Sequence, residues 1–93
     1  MNLKMYSIYD QCAEVHNTPV PALNVGPVLR EFTDLANNPN DPIGKHPEHY
    51  SLWELGEFDN SAGKLIPHDN KVHCANAIDL VQAPITPLGT PAQ

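Results

Sequence analysis

The sequence predicts an α+β fold in which one helix packs on a small antiparallel sheet. Three observations predict it. Residues 3–9 and residues 50–58 have the composition of strands, and apolar residues between these segments recur on one face of a helix. The alternative fold is an open β-barrel of the oligonucleotide-binding type.

The first predicted strand, residues 3–9, is rich in β-branched and aromatic side chains that alternate between two faces. One face carries Leu3, Met5, Ser7 and Tyr9, and the other carries Lys4, Tyr6, Ile8 and Asp10. Residues 16–22 contain two prolines among polar side chains, which predicts a loop.

The predicted helix follows this loop. Asn24 or Gly26 is suited to cap it, and Pro27 is suited to its first turn. Its apolar face consists of Leu29, Phe32, Leu35 and Ala36. The helix should end near Asn37 or Asn38, because a residue that precedes proline disfavours the helical conformation.

The second half of the chain predicts a loop at residues 37–47 and then a central strand, residues 50–58, that is apolar on both faces. Residues 59–63 have turn composition, with Gly63 in a left-handed position. Residues 64–66 should return as the partner strand, and Pro67 should end it. Residues 75–81 are predicted to form a further strand or a short helix.

The domain organisation follows from length and proline content. The chain has 93 residues and 10 prolines, three of them in an uncharged C-terminal segment. We therefore expect one small domain at residues 1–82 and a flexible tail at residues 83–93. A core this small is marginal alone, so we expect a homo-oligomer, with a dimer favoured.

The charge balance is acidic, with 11 Asp and Glu against 5 Lys and Arg. A protein that binds nucleic acid mainly by neutralising phosphates should have the opposite balance. Cys12 and Cys74 lack the short spacing of a metal or redox pair. The start MNLKMYSIYD lacks the long apolar stretch of a signal peptide, and no segment could span a membrane, which indicates a reduced, cytosolic protein.

Catalytic and metal sites are not predicted. Neither cysteine and no serine has a nucleophile motif around it, and the chain has no phosphate-binding glycine loop, so we expect no enzyme and no cofactor. Among the five histidines only His46 and His49 are closely spaced, and Pro47 opposes an α-helix that would aim both inward. We interpret the histidines as solvated loop residues.

Aromatic side chains near cations are the candidate ligands for nucleic acid, because single strands bind by stacking bases on such rings. We interpret Trp53, beside Leu52 and Leu55, as a core residue. Arg30 lies on the polar side of the helix, where it could also pair with Asp34. The predicted DNA-binding residues are Lys4, Tyr6, Arg30, Lys45, His46, Tyr50 and Lys64.

The segments MYSIYD, REFTDLANNPNDPIGKHPEHYSLWELGEFD and GKLIPH occur in this order over residues 3–68. In them the chain resembles the small nonstructural protein of gokushoviruses, Microviridae phages with circular single-stranded DNA genomes. The resemblance implies a nonstructural, DNA-binding protein of the host bacterial cytoplasm that acts during viral single-stranded DNA synthesis or packaging.

Two hypotheses follow. In the first, the protein binds single-stranded DNA directly, as a homodimer that places two sets of Lys and Tyr residues along one strand. In the second, it is an adaptor whose acidic surface binds a basic viral or host replication protein without contacting nucleic acid. The resemblance favours the first hypothesis, whereas the charge balance alone favours the second.

Overall fold

The computed structural model describes residues 1–82, so the predicted tail at residues 83–93 lies outside the described residues. Its five strands form one antiparallel sheet that curls into a half-barrel against a single long helix. The strands are β1 (Asn2–Asp10), β2 (Val15–His16), β3 (Val20–Ala22), β4 (Tyr50–Asp59) and β5 (Lys64–Asn76). This architecture confirms the α+β prediction, and the curl is consistent with the barrel-type alternative.

The sheet is built around β4, which pairs with β1 on one side and with β5 on the other. β2 and β3 pair with the opposite edge of β1. The pairing between β1 and β4 shifts register between Met5 and Tyr6. The pairing between β4 and β5 shifts twice, between Leu52 and Trp53 and between Glu54 and Gly56. Because bulges bend the strand that contains them and increase its twist, these shifts account for the curl.

The predicted helix is confirmed as α1 (Val25–Ala36). The Asn24 side chain caps it by accepting a hydrogen bond of 2.9 Å from the backbone N–H of Gly26. Phe32 lies on its inner face and is buried against the sheet. The helix ends before Asn37, in agreement with the prediction.

The predicted loop before β4 contains two short helical turns that the sequence interpretation did not include. They are α2 (Pro42–Lys45) and a 3-10 turn at Pro47–His49, and each begins with a proline. Proline suits the first position of a helix because a backbone N–H at that position would have no hydrogen-bond partner within the helix. Among residues 1–82, no helix is long and apolar enough to cross a bilayer.

The prediction that Pro67 ends a short return strand is wrong. β5 begins at Lys64 as predicted but continues through Pro67 to Asn76. β5 lies at the edge of the sheet, where a proline is tolerated because its missing N–H can face away from the ladder. The loop predicted at residues 16–22 likewise contains short edge strands, and β5 is followed by a 3-10 turn at Ala77–Leu80.

The core lies between α1 and one face of the sheet, and Trp53 is not part of it. Leu52 is 1% exposed, whereas its neighbour Trp53 is only partly buried. Successive strand residues point to opposite faces, so an apolar run on a strand cannot place both side chains in one core. The buried apolar residues are Tyr6, Phe32, Ala36, Ile43, Leu52 and Ala77.

Candidate nucleic-acid interface

An aromatic–cation cluster lies on the face of the sheet opposite α1. It consists of Tyr9, His16, Trp53, Lys71 and His73. The Lys71 ammonium is 4.6 Å from the centroid of the Trp53 ring and 5.3 Å from that of Tyr9. The Tyr9 ring lies 4.7 Å from the His16 ring, and the Trp53 ring lies 5.0 Å from the His73 ring. The cluster therefore combines two large rings with a cation held over both.

Strand pairing positions the Trp53 ring. Trp53 is opposite Ser7 on β1 and opposite His73 on β5, so it occupies the centre of the sheet. Its indole Nε1–H donates a hydrogen bond of 2.8 Å to the Ser51 hydroxyl on the same face. The polar edge of the indole is thus satisfied within the protein, and the ring itself contacts Lys71 and His73.

His16 links the cluster to the interior through a chain of hydrogen bonds. The Lys71 ammonium donates to His16 Nε2 over 3.1 Å, so this nitrogen must be unprotonated. Nδ1 then carries the proton and donates over 3.0 Å to the buried Ser7 hydroxyl, which donates to the Asn17 carbonyl over 3.1 Å. Burial and the Lys71 charge both lower the pKa of His16, which favours the neutral imidazole that this network requires.

The charge of Lys71 is not neutralised within the described part of the chain. Among residues 1–82, Lys4 is the one lysine or arginine in an ion pair, with the carboxylates of Glu54 and Glu57 each at 3.6 Å. Lys71 instead contacts two aromatic rings and a neutral histidine. An anionic ligand would therefore meet an uncompensated positive charge at the cluster.

Tyr6 was predicted to bind DNA, and the structure places it elsewhere. The side chain is 2% exposed and lies in the core with Leu52 and Phe32. Burial, followed by the nearby charges of Glu54 and Cys74, raises the pKa of its hydroxyl. A base cannot stack on this ring in the folded protein, so the expected role of Tyr6 was wrong. Alternation explains the error, because Tyr6 and Tyr9 point to opposite faces of β1.

The other predicted cations do not form one site. Arg30 lies on α1, Lys45 on α2 and Lys64 at the start of β5, and all three are exposed. Within residues 1–82, none of them shares a hydrogen bond, ion pair or ring contact with the aromatic–cation cluster. Lys4 is held by its two glutamates instead of facing solvent as a free charge.

His46 and Tyr50 lie next to the 3-10 turn at Pro47–His49. The exposed His46 ring stacks on the His49 ring with centroids 5.4 Å apart. Tyr50 is partly buried against the core, and desolvation together with the Asp10 carboxylate raises the pKa of its hydroxyl. These two residues therefore lie near each other along the chain but in different environments.

Sequence reasoning missed the residues that form the cluster. Lys71 and His73 belong to the part of β5 beyond Pro67, which the sequence interpretation excluded from the sheet. Their spacing of two residues was the available signal, since it places both on the same face of a strand. Once Trp53 is assigned to the face opposite Leu52, this alternation brings it beside His73.

Comparison with known proteins places the chain in a family. The model of the family described as Phage ORF5 protein matches residues 3–80, which is most of the chain and contains β2 to β5 and all of β1 except Asn2. No curated protein and no solved structure matches the chain. The match covers both the aromatic–cation cluster and the core beneath it, and the chain therefore belongs to the Phage ORF5 protein family.

Proposed function

We propose that this phage protein binds single-stranded DNA through the aromatic–cation cluster during viral genome synthesis or packaging in the host cytoplasm. Membership of a phage family supports the viral setting. The resemblance of residues 3–68 to the gokushovirus nonstructural protein supports the finer assignment to a single-stranded DNA phage. We propose a homodimer as the active form, which would present two clusters to one strand.

The observation that carries the proposal is the position of Lys71 over Trp53 and Tyr9, at 4.6 Å and 5.3 Å from the ring centroids. Proteins that bind single strands stack bases on aromatic rings and hold the backbone with nearby cations. In this cluster one side chain supplies the cation and two supply the rings. The ligand that fits is a flexible strand with unpaired bases, because paired bases in a duplex cannot stack on a protein ring.

The acidic charge balance of the chain is compatible with DNA binding that depends more on base stacking than on charge. A net charge of −6 opposes long-range attraction to DNA, so affinity must come from stacking and from a few local cations. Binding of this kind should depend only weakly on salt, because few counterions are released when few phosphates are neutralised. A shallow salt slope therefore distinguishes this interface from a basic DNA-binding surface.

The test measures the fluorescence of Trp53, which is the one tryptophan in the sequence. Titration with a dT oligonucleotide of about 16 nucleotides should quench its fluorescence if bases stack on the ring. Lys71→Ala should weaken binding by about tenfold and lower the salt slope by about one. Absence of quenching and of binding at low salt, with the protein folded, would refute the proposal.

Two control variants locate the binding surface. Val72→Ala changes an exposed residue beside Lys71 that pairs with Glu54 instead of contacting the cluster, so the affinity should stay the same. Lys45→Ala removes an exposed cation from α2 and should also leave the quenching unchanged. A larger loss in Lys45→Ala than in Lys71→Ala would assign the interface to the loop before β4.

The second candidate function is the acidic adaptor, and the exposure of the carboxylates favours it. Glu14, Glu31, Asp34, Asp69 and Asp79 are all exposed and have no ion-pair partner within residues 1–82. A basic replication protein of the phage or host would find these charges uncompensated. Co-purification of such a partner after nuclease treatment, together with no quenching by dT, would support this candidate over DNA binding.

A further inference from the structure

We propose that His46, Glu48 and His49 form a surface site for a divalent transition-metal ion, with zinc as the best-fitting ion. The site is separate from the aromatic–cation cluster and does not depend on DNA binding. Each residue offers one ligand atom, and these three atoms lie within 4.8 Å of one another. Two imidazoles and one carboxylate are the donor set of an open zinc site, in which a water molecule completes the tetrahedron.

The two distances between the carboxylate and the imidazoles approach those of a coordinated ion, and all three ligand atoms lie within 4.8 Å of one another. Glu48 Oε2 lies 3.7 Å from His46 Nδ1 and 3.6 Å from His49 Nε2. Ligand atoms about 2.0–2.1 Å from a tetrahedral ion are about 3.3 Å apart. The two nitrogen–oxygen distances therefore need to shorten by only a few tenths of an ångström, which rotation of exposed side chains provides.

The sequence predicts that Pro47 keeps His46 and His49 from facing the same way, but in the structure Pro47 begins the turn that brings their rings together. It opens the 3-10 turn at Pro47–His49 and does not break an α-helix there. In a 3-10 turn, side chains three residues apart lie on the same side, and the two imidazole rings are accordingly stacked at an interplanar angle of 20°. The spacing of three residues therefore brings both histidines to the same side of the turn, where rotation of the rings can direct both nitrogens to one ion.

The backbone of the turn is fixed before any ion binds. The N–H of His46 donates to the Pro42 carbonyl over 3.0 Å, and the N–H of His49 donates to the His46 carbonyl over 3.0 Å. The His49 carbonyl accepts a hydrogen bond of 2.8 Å from the N–H of Gln11, which ties the turn to the end of β1. Three hydrogen bonds thus hold the ligand-bearing residues in place, which lowers the entropic cost of binding.

The histidines of this turn differ from the other three in the chain. His16, His68 and His73 each have a ring nitrogen in a hydrogen bond, with Ser7, Glu54 and Asn76 respectively. Within residues 1–82, the rings of His46 and His49 have no hydrogen-bond partner, and the Glu48 carboxylate lies 3.7 Å from the first and 3.6 Å from the second. Their lone pairs are therefore free to coordinate an ion.

The test is calorimetric titration of the untagged 93-residue chain with Zn²⁺. We expect one ion per chain, and Glu48→Gln or His49→Asn should weaken binding by about tenfold or more. His73→Asn, which changes a histidine outside the turn, should bind Zn²⁺ with the same affinity as the unchanged protein. Absence of zinc binding, or an equal loss in His73→Asn and Glu48→Gln, would overturn the proposal.

A spectroscopic measurement on the unchanged protein removes any dependence on the folding of the variants. In NMR spectra, Zn²⁺ should shift the ring signals of His46 and His49 and leave those of His68 in place. Co²⁺ should give visible d–d bands without a thiolate charge-transfer band. A thiolate band would assign the ion to Cys12 or Cys74 and would overturn the proposal.

Discussion

His68 and Glu54 form the shortest side-chain hydrogen bond among residues 1–82, with His68 Nε2 2.6 Å from Glu54 Oε2. The same carboxylate oxygen lies 3.6 Å from the Lys4 ammonium. The Glu54 side chain is only 16% exposed, so both contacts form where water competes weakly. This carboxylate joins β1 and β5 across β4, at the point where the β4–β5 pairing shifts register.

Replacement of Glu54 by alanine should therefore destabilise the fold. Glu54→Ala leaves His68 and Lys4 partly buried without their shared partner, and we expect a loss of about 1–2 kcal/mol in the free energy of unfolding. Urea denaturation followed by circular dichroism measures it. The control is Glu57→Ala, which removes the more exposed partner of Lys4 and should cost less. Equal losses in the two variants would show that the Glu54 contacts add nothing specific.

The hydrogen-bond network of His16 predicts a dependence of stability on pH. The folded protein lowers the pKa of His16 below its ordinary 6.5, because burial and Lys71 disfavour the charged ring. The stabilisation is present above pH 6.5 and is lost as pH falls through the folded pKa, because the unfolded chain binds the proton more readily. NMR titration should show a pKa below 6.5 that rises in Lys71→Ala. An unchanged pKa in that variant would contradict the network.

Gly44 lies where the backbone of α2 approaches the end of α1, and it should not tolerate a side chain. A Cβ at this position would lie 1.7 Å from the backbone oxygen of Asn38. Gly44→Ala must displace backbone, which we expect to cost at least about 2 kcal/mol in urea denaturation. The comparison is Gly63→Ala, which has a φ of 66° but no atom within 4 Å and should cost about 1 kcal/mol. A smaller loss for Gly44→Ala than for Gly63→Ala would contradict the close approach.

The two thiols should react at different rates. Cys12 is exposed, whereas Cys74 is partly buried, and burial together with the Glu54 charge raises the pKa of the Cys74 thiol. Since the thiolate is the reactive form, we expect one fast and one slow modification by iodoacetamide under native conditions. The fast phase should disappear in Cys12→Ser, and both thiols should react quickly in urea. A fast phase that persists in Cys12→Ser would contradict the assignment.

Much of the fold could be predicted from the sequence because its signals are local. Capping by Asn24, the end of α1 near Asn37 and the turn at Gly63 all depend on residues within a few positions of each other. The length of β5 could not be predicted in this way. Whether a proline ends a strand depends on which edge of the sheet it occupies, and this is a property of the whole sheet.

The candidate site was harder to predict for the same reason. Tyr6 and Tyr9 have similar chemistry, and only the side of the sheet that α1 covers decides which ring is buried. Trp53 was assigned to the core because of its apolar neighbours, although a strand places adjacent residues on opposite faces. Lys71 could not be identified from the sequence as a DNA-binding residue, because only the unexpected length of β5 places it near the Tyr9 ring.

Of the two register shifts in the β4–β5 hairpin, the one at Glu54–Gly56 separates two halves of the hairpin. The half in which β4 begins and β5 ends contains the core residue Leu52. In the other half, next to the turn, Leu65 is 67% exposed and Ile66 is 38% exposed. Amide protons in the second half should therefore exchange with solvent through local opening, while those beside the core exchange only when the whole domain unfolds. The hairpin thus divides into an anchored segment and a segment that opens independently, and a ligand at Trp53 would lie next to the boundary between them.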